Sequence, residues 1–142
     1  LIKTKISEDE IDLVVSPAMG GIIIGSKVGE MLGKRSIFLE RVNSELCFRR
    51  GFNIKKNSKV LIIEDVITTG KSSMECAKLI KKANAKLVGF ASIIDRSTKR
   101  TLKIKKKIVS ELKIDVPVYK KNKIPRDLKS IPITTPGSRF IK

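Results

Sequence analysis

The stretch from Lys59 to Ser73 constrains the fold of this chain more than any other. It reads KVLIIEDVITTGKSS, in which four apolar residues run into two adjacent carboxylates and a group of small polar residues follows. An unbroken apolar run predicts a strand that is buried on both faces, which is typical of a parallel sheet. A helix is predicted after the turn, because apolar residues then recur at helical spacing. The residues predicted for its buried face are Cys76, Leu79, Ile80 and Ala83.

The turn between this strand and helix has the composition of an anion-binding site. A Thr- and Gly-rich helix start offers backbone N–H groups, hydroxyls and the positive end of the helix dipole. Ligands of open α/β sheets bind at this end of the strands. Glu64 and Asp65 precede the turn, so a ligand carrying both phosphate and hydroxyls, such as a sugar phosphate, fits. The alternative is a plain capped helix with Thr69 or Ser72 as its N-cap.

Two other phosphate-binding motifs are excluded, as is a histidine-based site. A Walker A loop needs a glycine five residues before Gly70, where Asp65 stands, and no Gly-x-Gly-x-x-Gly is present. The chain has no histidine, and Cys47 and Cys76 lack metal-ligand spacing. We therefore expect no protein-built metal site and a reducing, cytoplasmic setting.

Composition indicates one globular domain and leaves the role of the charge open. The 142 residues are 41% hydrophobic, without an apolar run of membrane-spanning length. The net charge of +17 suggests nucleic-acid binding. However, 23 of the 31 cations are lysines spread along the chain, and one Tyr and no Trp are available for stacking. We expect solvated lysines, no nucleic-acid partner and a field that attracts polyanionic small molecules.

A second strand–turn–helix unit precedes the central one. Ile11 to Ser16 predicts a short buried strand, and a turn with two glycines follows. The helix should end at Gly33, a plausible C′ residue. Its predicted apolar stripe is Ile24, Val28, Met31 and Leu32.

Three further strands are predicted from apolar runs. Ser36 to Glu40 follows the first helix, and Leu87 to Ile94 follows the second and leads into Asp95-Arg96-Ser97. Helix-length segments between the strands predict right-handed parallel crossovers. Ile108 to Tyr119 alternates, with Leu112, Ile114 and Val116 predicted to share one face.

The central stretch resembles the phosphoribosyl-pyrophosphate (PRPP) motif of type I phosphoribosyltransferases. The resemblance lies in the order of four apolar residues, Glu64-Asp65, one apolar residue, any residue and Thr-Thr-Gly. The resemblance implies an α/β fold with a central, mostly parallel sheet flanked by helices and a flexible loop or hairpin. It implies one core domain over residues 1–142, without the N-terminal hood of the family, and such a core could bind PRPP yet recognise the base poorly. The residues implied to bind PRPP are Glu64, Asp65, Val66, Ile67, Thr68, Thr69, Gly70, Lys71 and Ser72.

The first glycine-containing turn resembles the pyrophosphate loop of that family. Ala18, Met19, Gly20 and Gly21 would hold the leaving pyrophosphate. Some members have a non-proline cis peptide here, which would fall between Ala18 and Met19. Some relatives carry a lysine where Gly20 stands, so that side-chain contact is lost in this chain.

Residues 41–54 (RVNSELCFRRGFNI) suggest a hairpin or mobile flap. In the orotate branch of the family a flexible loop lies in this interval and reaches the neighbouring subunit, which implies a homodimer. The family loop carries Lys and His, and here Arg41, Arg49 and Arg50 are the substitutes. Guanidinium groups can clamp pyrophosphate, but they cannot donate a proton at neutral pH. One or two of the three could also be ordinary surface residues.

Further motifs resemble the orotate branch, namely Arg-Arg-Gly-Phe at 49–52, Asp-Arg-Ser at 95–97 and Pro-Gly-Ser-Arg at 136–139. They imply that Arg96 and Thr68 contact orotate. Alternatively, Asp95 caps the turn and Arg96 pairs with it. The implied reaction joins PRPP and orotate to give orotidine 5′-monophosphate and pyrophosphate, with Mg²⁺ held mainly by PRPP. A salvage enzyme for another base and a non-catalytic PRPP-binding regulator are the alternatives.

Overall fold

A computed structural model describes residues 10–98, 102–105, 108–117, 119, 121–132 and 134. None of the helices in these ranges is long and apolar enough to cross a membrane. Two short 3-10 helices, Lys121–Lys123 and Arg126–Leu128, follow the last strand. The main elements are β1 (Leu13–Pro17), α1 (Gly21–Leu32), β2 (Arg35–Val42), β3 (Glu45–Cys47), β4 (Lys59–Ile67), α2 (Lys71–Lys82), β5 (Lys86–Asp95) and β6 (Ile108–Lys113).

The described strands form one six-stranded sheet in the order β3-β2-β1-β4-β5-β6. Every neighbouring pair is parallel except β2 and β3, which form an antiparallel hairpin. The α1 crossover leads from β1 to β2, and the α2 crossover leads from β4 to β5 in the opposite direction along the sheet. Right-handed crossovers therefore put the two helices on opposite faces. The predicted fold class, a mostly parallel sheet flanked by helices, is confirmed.

Two separate apolar clusters fill the two faces of the sheet. The cluster that contains Cys76 and Ile80 of α2 also takes Val60 and Ile62 of β4. The cluster that contains Val28 and Leu32 of α1 takes the alternate β4 residues, Leu61 and Ile63. β4 is therefore buried on both faces, as the unbroken apolar run predicted.

The predicted apolar stripe of α1 is confirmed at Val28 and Leu32, which are buried, and at Ile24, which packs against their cluster, but not at Met31. Gly25 and Gly29 are buried, whereas Met31 is 60% exposed. A Cβ at Gly25 would lie 1.9 Å from Ser16 Oγ, and one at Gly29 would lie 2.8 Å from Ser36 Cβ. At these two glycines the helix lies so close to β1 and β2 that an added side chain would clash. Gly33 ends the helix at φ 62°, as predicted.

The hairpin prediction for residues 41–54 is confirmed, with β2 two residues longer than predicted at its C-terminal end. Asn43 and Ser44 have φ of 48° and 66°, which suits a two-residue type I′ turn. Leu46 is buried in the cluster on the α2 face, and Phe48 and Phe52 pack against it.

The predicted strand over residues 108–119 is shorter in the structure and ends at Lys113. β6 lies at the edge of the sheet, beside β5 alone. Leu112, which was predicted to share one face with Ile114 and Val116, is 50% exposed at this edge. The last two residues lie beyond the strand, where no ladder fixes their side.

Candidate active site

The crevice between β1 and β4 brings the two predicted phosphate loops together. These strands are adjacent and parallel, and their helices lie on opposite faces, so the sheet switches direction between them. Such a switch point opens a crevice at the carboxyl ends of the strands, where α/β proteins bind ligands. Gly20 in the turn after β1 lies directly against Asp65 near the end of β4.

The two adjacent carboxylates leave β4 in opposite directions. Side chains alternate between the faces of a strand. Glu64 lies on the same side of β4 as Val60 and Ile62, which faces α2, and the Ser73 hydroxyl of that helix donates a hydrogen bond to it. Asp65 continues the series that faces α1 and lies against Gly20. The sequence analysis treated the two acids as one pair, but the fold separates them into two environments.

Glu64 is buried at 8% exposure and caps α2 from the neighbouring strand. It accepts hydrogen bonds from both the hydroxyl and the backbone N–H of Ser73. Burial raises the pKa of Glu64, the hydrogen bonds from Ser73 oppose that rise, and the charge of Asp65 adds to it. Neither Thr69 nor Ser72 occupies the N-cap position, although the Thr69 hydroxyl accepts a hydrogen bond from the N–H of Lys71 at 3.3 Å. The cap position is Gly70, which makes no side-chain hydrogen bond.

The turn after β4 is shorter than predicted, because β4 continues through Ile67. Val66 and Ile67 are in register with Ile94 and Asp95 of β5. The open turn therefore consists of residues 68–70, and α2 starts at Lys71. Thr68 and Thr69 are exposed to solvent at the start of the helix, which is the position an anion would occupy.

A segment that the sequence analysis did not single out packs against this turn. The N–H of Lys103 donates to the Thr69 carbonyl at 2.9 Å. A Cβ at Gly70, whose φ is +69°, would lie 2.8 Å from the buried Ile104 side chain. Residues 106 and 107 lie outside the described residues, and so does the Pro-Gly-Ser-Arg motif at 136–139.

The loop after β1 has the predicted local geometry. The Ala18–Met19 peptide bond is cis. The N–H of Ala18 donates to the Leu39 carbonyl of β2 at 2.8 Å, and Met19 is 74% exposed. Gly21 is the first residue of α1. The loop therefore joins β1 to a helix start at the crevice.

The three predicted loop arginines lie at one end of β2, each beside a carboxylate. Arg41 donates to Glu75 of α2 at 2.5 Å. Arg50 donates two hydrogen bonds to Glu40, at 3.0 and 3.1 Å, and Arg49 lies 3.9 Å from the same carboxylate. The hydrogen bonds from Arg50 hold the pKa of Glu40 below its ordinary value. No sequence signal marked Glu40 or Glu75, because these partners meet only in the folded chain.

The turn after β5 holds Arg96 beside the end of β4. The N–H of Arg96 donates to the Ile67 carbonyl at 2.8 Å. Asp95 accepts from the N–H of Ser97 at 2.8 Å, as the capping alternative predicted, but its ion-pair partner is Lys113 at 3.4 Å. Burial raises the pKa of Asp95, and the hydrogen bonds from Ser97 and the charge of Lys113 outweigh it and lower that pKa overall. Arg96 Nε is buried without a hydrogen-bond partner.

Together these features define a class of protein, an open α/β fold with a Thr- and Gly-rich helix start and two adjacent acids near its topological switch point. The Phosphoribosyl transferase domain family matches residues 1–121. The chain belongs to the phosphoribosyltransferase family. A curated orotate phosphoribosyltransferase from Erythrobacter litoralis (strain HTCC2594) is 44% identical over 130 residues, which cover 92% of this chain and 67% of the relative.

Solved structures share the fold at low sequence identity. A purine phosphoribosyltransferase from Pyrococcus horikoshii Ot3 matches with a TM-score of 0.64 at 19% identity, covering 84% of this chain and 88% of that one. An adenine phosphoribosyltransferase from Rhodothermus marinus DSM 4252 matches with a TM-score of 0.61 at 20% identity, covering 80% and 75%. These likenesses support the fold assignment.

Proposed function

We propose that this chain is an orotate phosphoribosyltransferase, which transfers ribose 5-phosphate from PRPP to orotate and releases pyrophosphate. The observation that carries the proposal is the identity to the curated orotate enzyme, which extends over most of this chain. The site supports it, because Asp65 and two helix-start turns lie at one crevice, and Arg96 follows β5 beside the end of β4.

In this proposal the turn after β4 binds the 5′-phosphate of PRPP. The exposed hydroxyls of Thr68 and Thr69 are the donors, and the positive end of the α2 dipole favours the anion. Lys71 and Ser72 belong to the first turn of α2. Val66 and Ile67 are ladder residues of β4, so they act through the backbone by fixing the turn. The loop formed by Ala18, Met19, Gly20 and Gly21 binds the pyrophosphate.

The two acids stabilise the sugar during the reaction. Loss of pyrophosphate from the anomeric carbon leaves positive charge on the ribose ring, and a fixed negative charge nearby lowers the energy of that state. Asp65 is half-buried at the crevice and Glu64 is held rigidly by Ser73. We assign ribose-hydroxyl contacts to both.

Arg41, Arg49 and Arg50 are proposed to neutralise the departing pyrophosphate. Their present partners are the carboxylates of Glu75 and Glu40, so binding pyrophosphate requires an exchange of one anion for another. Closure of the hairpin would then exclude water from the cationic sugar. We also propose a homodimer whose partner receives this hairpin, and a cytoplasmic location, which the two free cysteines favour.

We propose that magnesium binds together with PRPP. No group of three or more His, Cys, Asp or Glu side chains gathers among the described residues. The oxygen donors at the crevice, Asp65 and the hydroxyls of the β4 turn, are hard ligands that suit Mg²⁺ when the substrate supplies the remaining oxygens. When bound, the ion would offset the charge of the pyrophosphate. The residues of the chain orient the ribose and exclude water around it.

The proposal is tested by mixing the protein with PRPP, magnesium chloride and orotate and following the ultraviolet absorbance of orotate. Arg96→Ala should raise the KM for orotate about 10–100-fold, because one charge-assisted contact to a carboxylate is lost. Exposed Arg126→Ala is the matched control and should leave the KM unchanged. Uracil, adenine and hypoxanthine are tested in parallel. Turnover of one of these bases without turnover of orotate would replace the proposal by a salvage function.

A further inference from the structure

Gly20 occupies a backbone conformation that any residue can adopt. Its φ is −56° and its ψ is −39°, in the right-handed helical region. Conformational freedom is therefore not the reason for glycine at this position. Gly33 and Gly70 differ in this respect, because both have a positive φ.

What glycine provides at position 20 is space for a carboxylate. A Cβ at Gly20 would lie 2.2, 2.6 and 2.8 Å from Oδ2, Cγ and Oδ1 of Asp65, respectively. All three nearest atoms belong to one side-chain carboxylate. At Gly21 and Gly29, in contrast, an added Cβ would meet other side chains and backbone carbonyls.

We propose that Gly20 is a positioning residue: its lack of a side chain lets the Asp65 carboxylate lie against the loop after β1. This inference rests on the proposed function, in which that loop binds pyrophosphate and Asp65 binds the ribose. The carboxylate then stands between the two parts of PRPP that separate in the reaction. A negative charge at that boundary stabilises the cationic sugar more effectively than one rotated away from it.

A side chain at position 20 should impair catalysis and leave the stability of the fold unchanged, because of the atoms that it would displace. The atoms in the way are the end of a half-buried side chain, so a change of the Asp65 rotamer relieves the contact without moving the backbone. At Gly29 a side-chain rotation cannot relieve the crowding. Its added Cβ would meet Ser36 Cβ at 2.8 Å and the Lys34 carbonyl at 3.0 Å, so α1 itself must move. Gly29→Ala is therefore the matched control.

The first experiment measures the position of the carboxylate without any substrate. The side-chain carboxyl ¹³C resonance of Asp65 is recorded in the unliganded full chain, in Gly20→Ala and in Gly29→Ala. We expect the resonance to shift in Gly20→Ala alone, while the melting temperature falls in Gly29→Ala alone. An Asp65 resonance that is unchanged in Gly20→Ala overturns the proposal, whatever the protein catalyses.

The second experiment measures the consequence for PRPP. Gly20→Ala should lower kcat/KM about 10–100-fold, since a misplaced catalytic group is enough for such a loss. Calorimetric binding of PRPP then completes a double-mutant cycle with Asp65→Ala, which removes all three crowding atoms. Gly20→Ala should weaken PRPP binding in the parent chain and change it less than twofold in Asp65→Ala.

Equal losses of PRPP binding in the parent chain and in Asp65→Ala would overturn the positioning role, because Gly20 would then act independently of the carboxylate. If the parent chain does not bind PRPP, the proposed function fails. The resonance measurement still decides whether Gly20 sets the position of Asp65.

Discussion

Replacing Ser73 by alanine removes one of the two hydrogen bonds that hold the Glu64 carboxylate beneath α2. Ser73 is fully buried and Glu64 is 8% exposed, so water cannot take the place of the hydroxyl. A hydrogen bond to a charged group contributes about 1.5–3 kcal/mol. The Ser73 N–H remains as a donor to Glu64, so we expect the loss at pH 8 to lie near the lower end, at about 1.5–2 kcal/mol.

The size of this loss should depend on pH, with a sign that follows from Glu64. Burial raises its pKa in the folded chain above the ordinary value of 4.5. The folded state therefore holds the proton more tightly than the unfolded chain. Glu64 therefore lowers the stability of the fold progressively as the pH rises from the pKa of the unfolded chain to the raised pKa of the folded chain. Above the raised pKa the loss of stability is constant. Ser73 opposes this rise in pKa, so Ser73→Ala enlarges the penalty at high pH.

Below pH 4.5 the Glu64 carboxyl is mostly protonated in both states. The loss in Ser73→Ala should then fall to that of a neutral hydrogen bond, about 0.5–1.5 kcal/mol. The free energy of unfolding is measured by urea titration at pH 4 and pH 8. Ser26→Ala, at an exposed position of α1, is the control and should stay within about 0.5 kcal/mol at both values. A Ser73→Ala loss that is the same at pH 4 and pH 8 would refute the reasoning.

Three further predictions follow from the site and the fold. Asp65→Asn should lower turnover of PRPP by about a hundredfold with an unchanged circular dichroism spectrum, and unchanged turnover would count against the proposed function. Glu40→Gln should tighten PRPP binding up to about fivefold, because Arg50 no longer has to leave an exposed ion pair. Weaker binding in calorimetry would contradict this. Gly33→Ala should destabilise the fold by about 1–2 kcal/mol in urea titration, because its φ of 62° crowds a Cβ; an equally stable variant would contradict this.

The sequence by itself determined the local elements of this protein. The apolar run before Glu64 predicted a strand buried on both faces, and the helical spacing after Ser73 predicted α2. Gly33 marked the end of α1, and residues 41–54 predicted the hairpin. These features depend on backbone preferences and side-chain periodicity over a few neighbouring residues, which the chain carries wherever it lies in the fold.

Only the tertiary structure decided which groups meet. It placed Asp65 against Gly20, paired Arg50 with Glu40, and paired Asp95 with Lys113 in place of Arg96. Each of these contacts joins segments whose distance depends on strand order and register, and sequence spacing does not encode either one. The same holds for α1, where Gly25 and Gly29 lie close against Ser16 of β1 and Ser36 of β2. Packing between elements, and not local propensity, therefore set the geometry of the site.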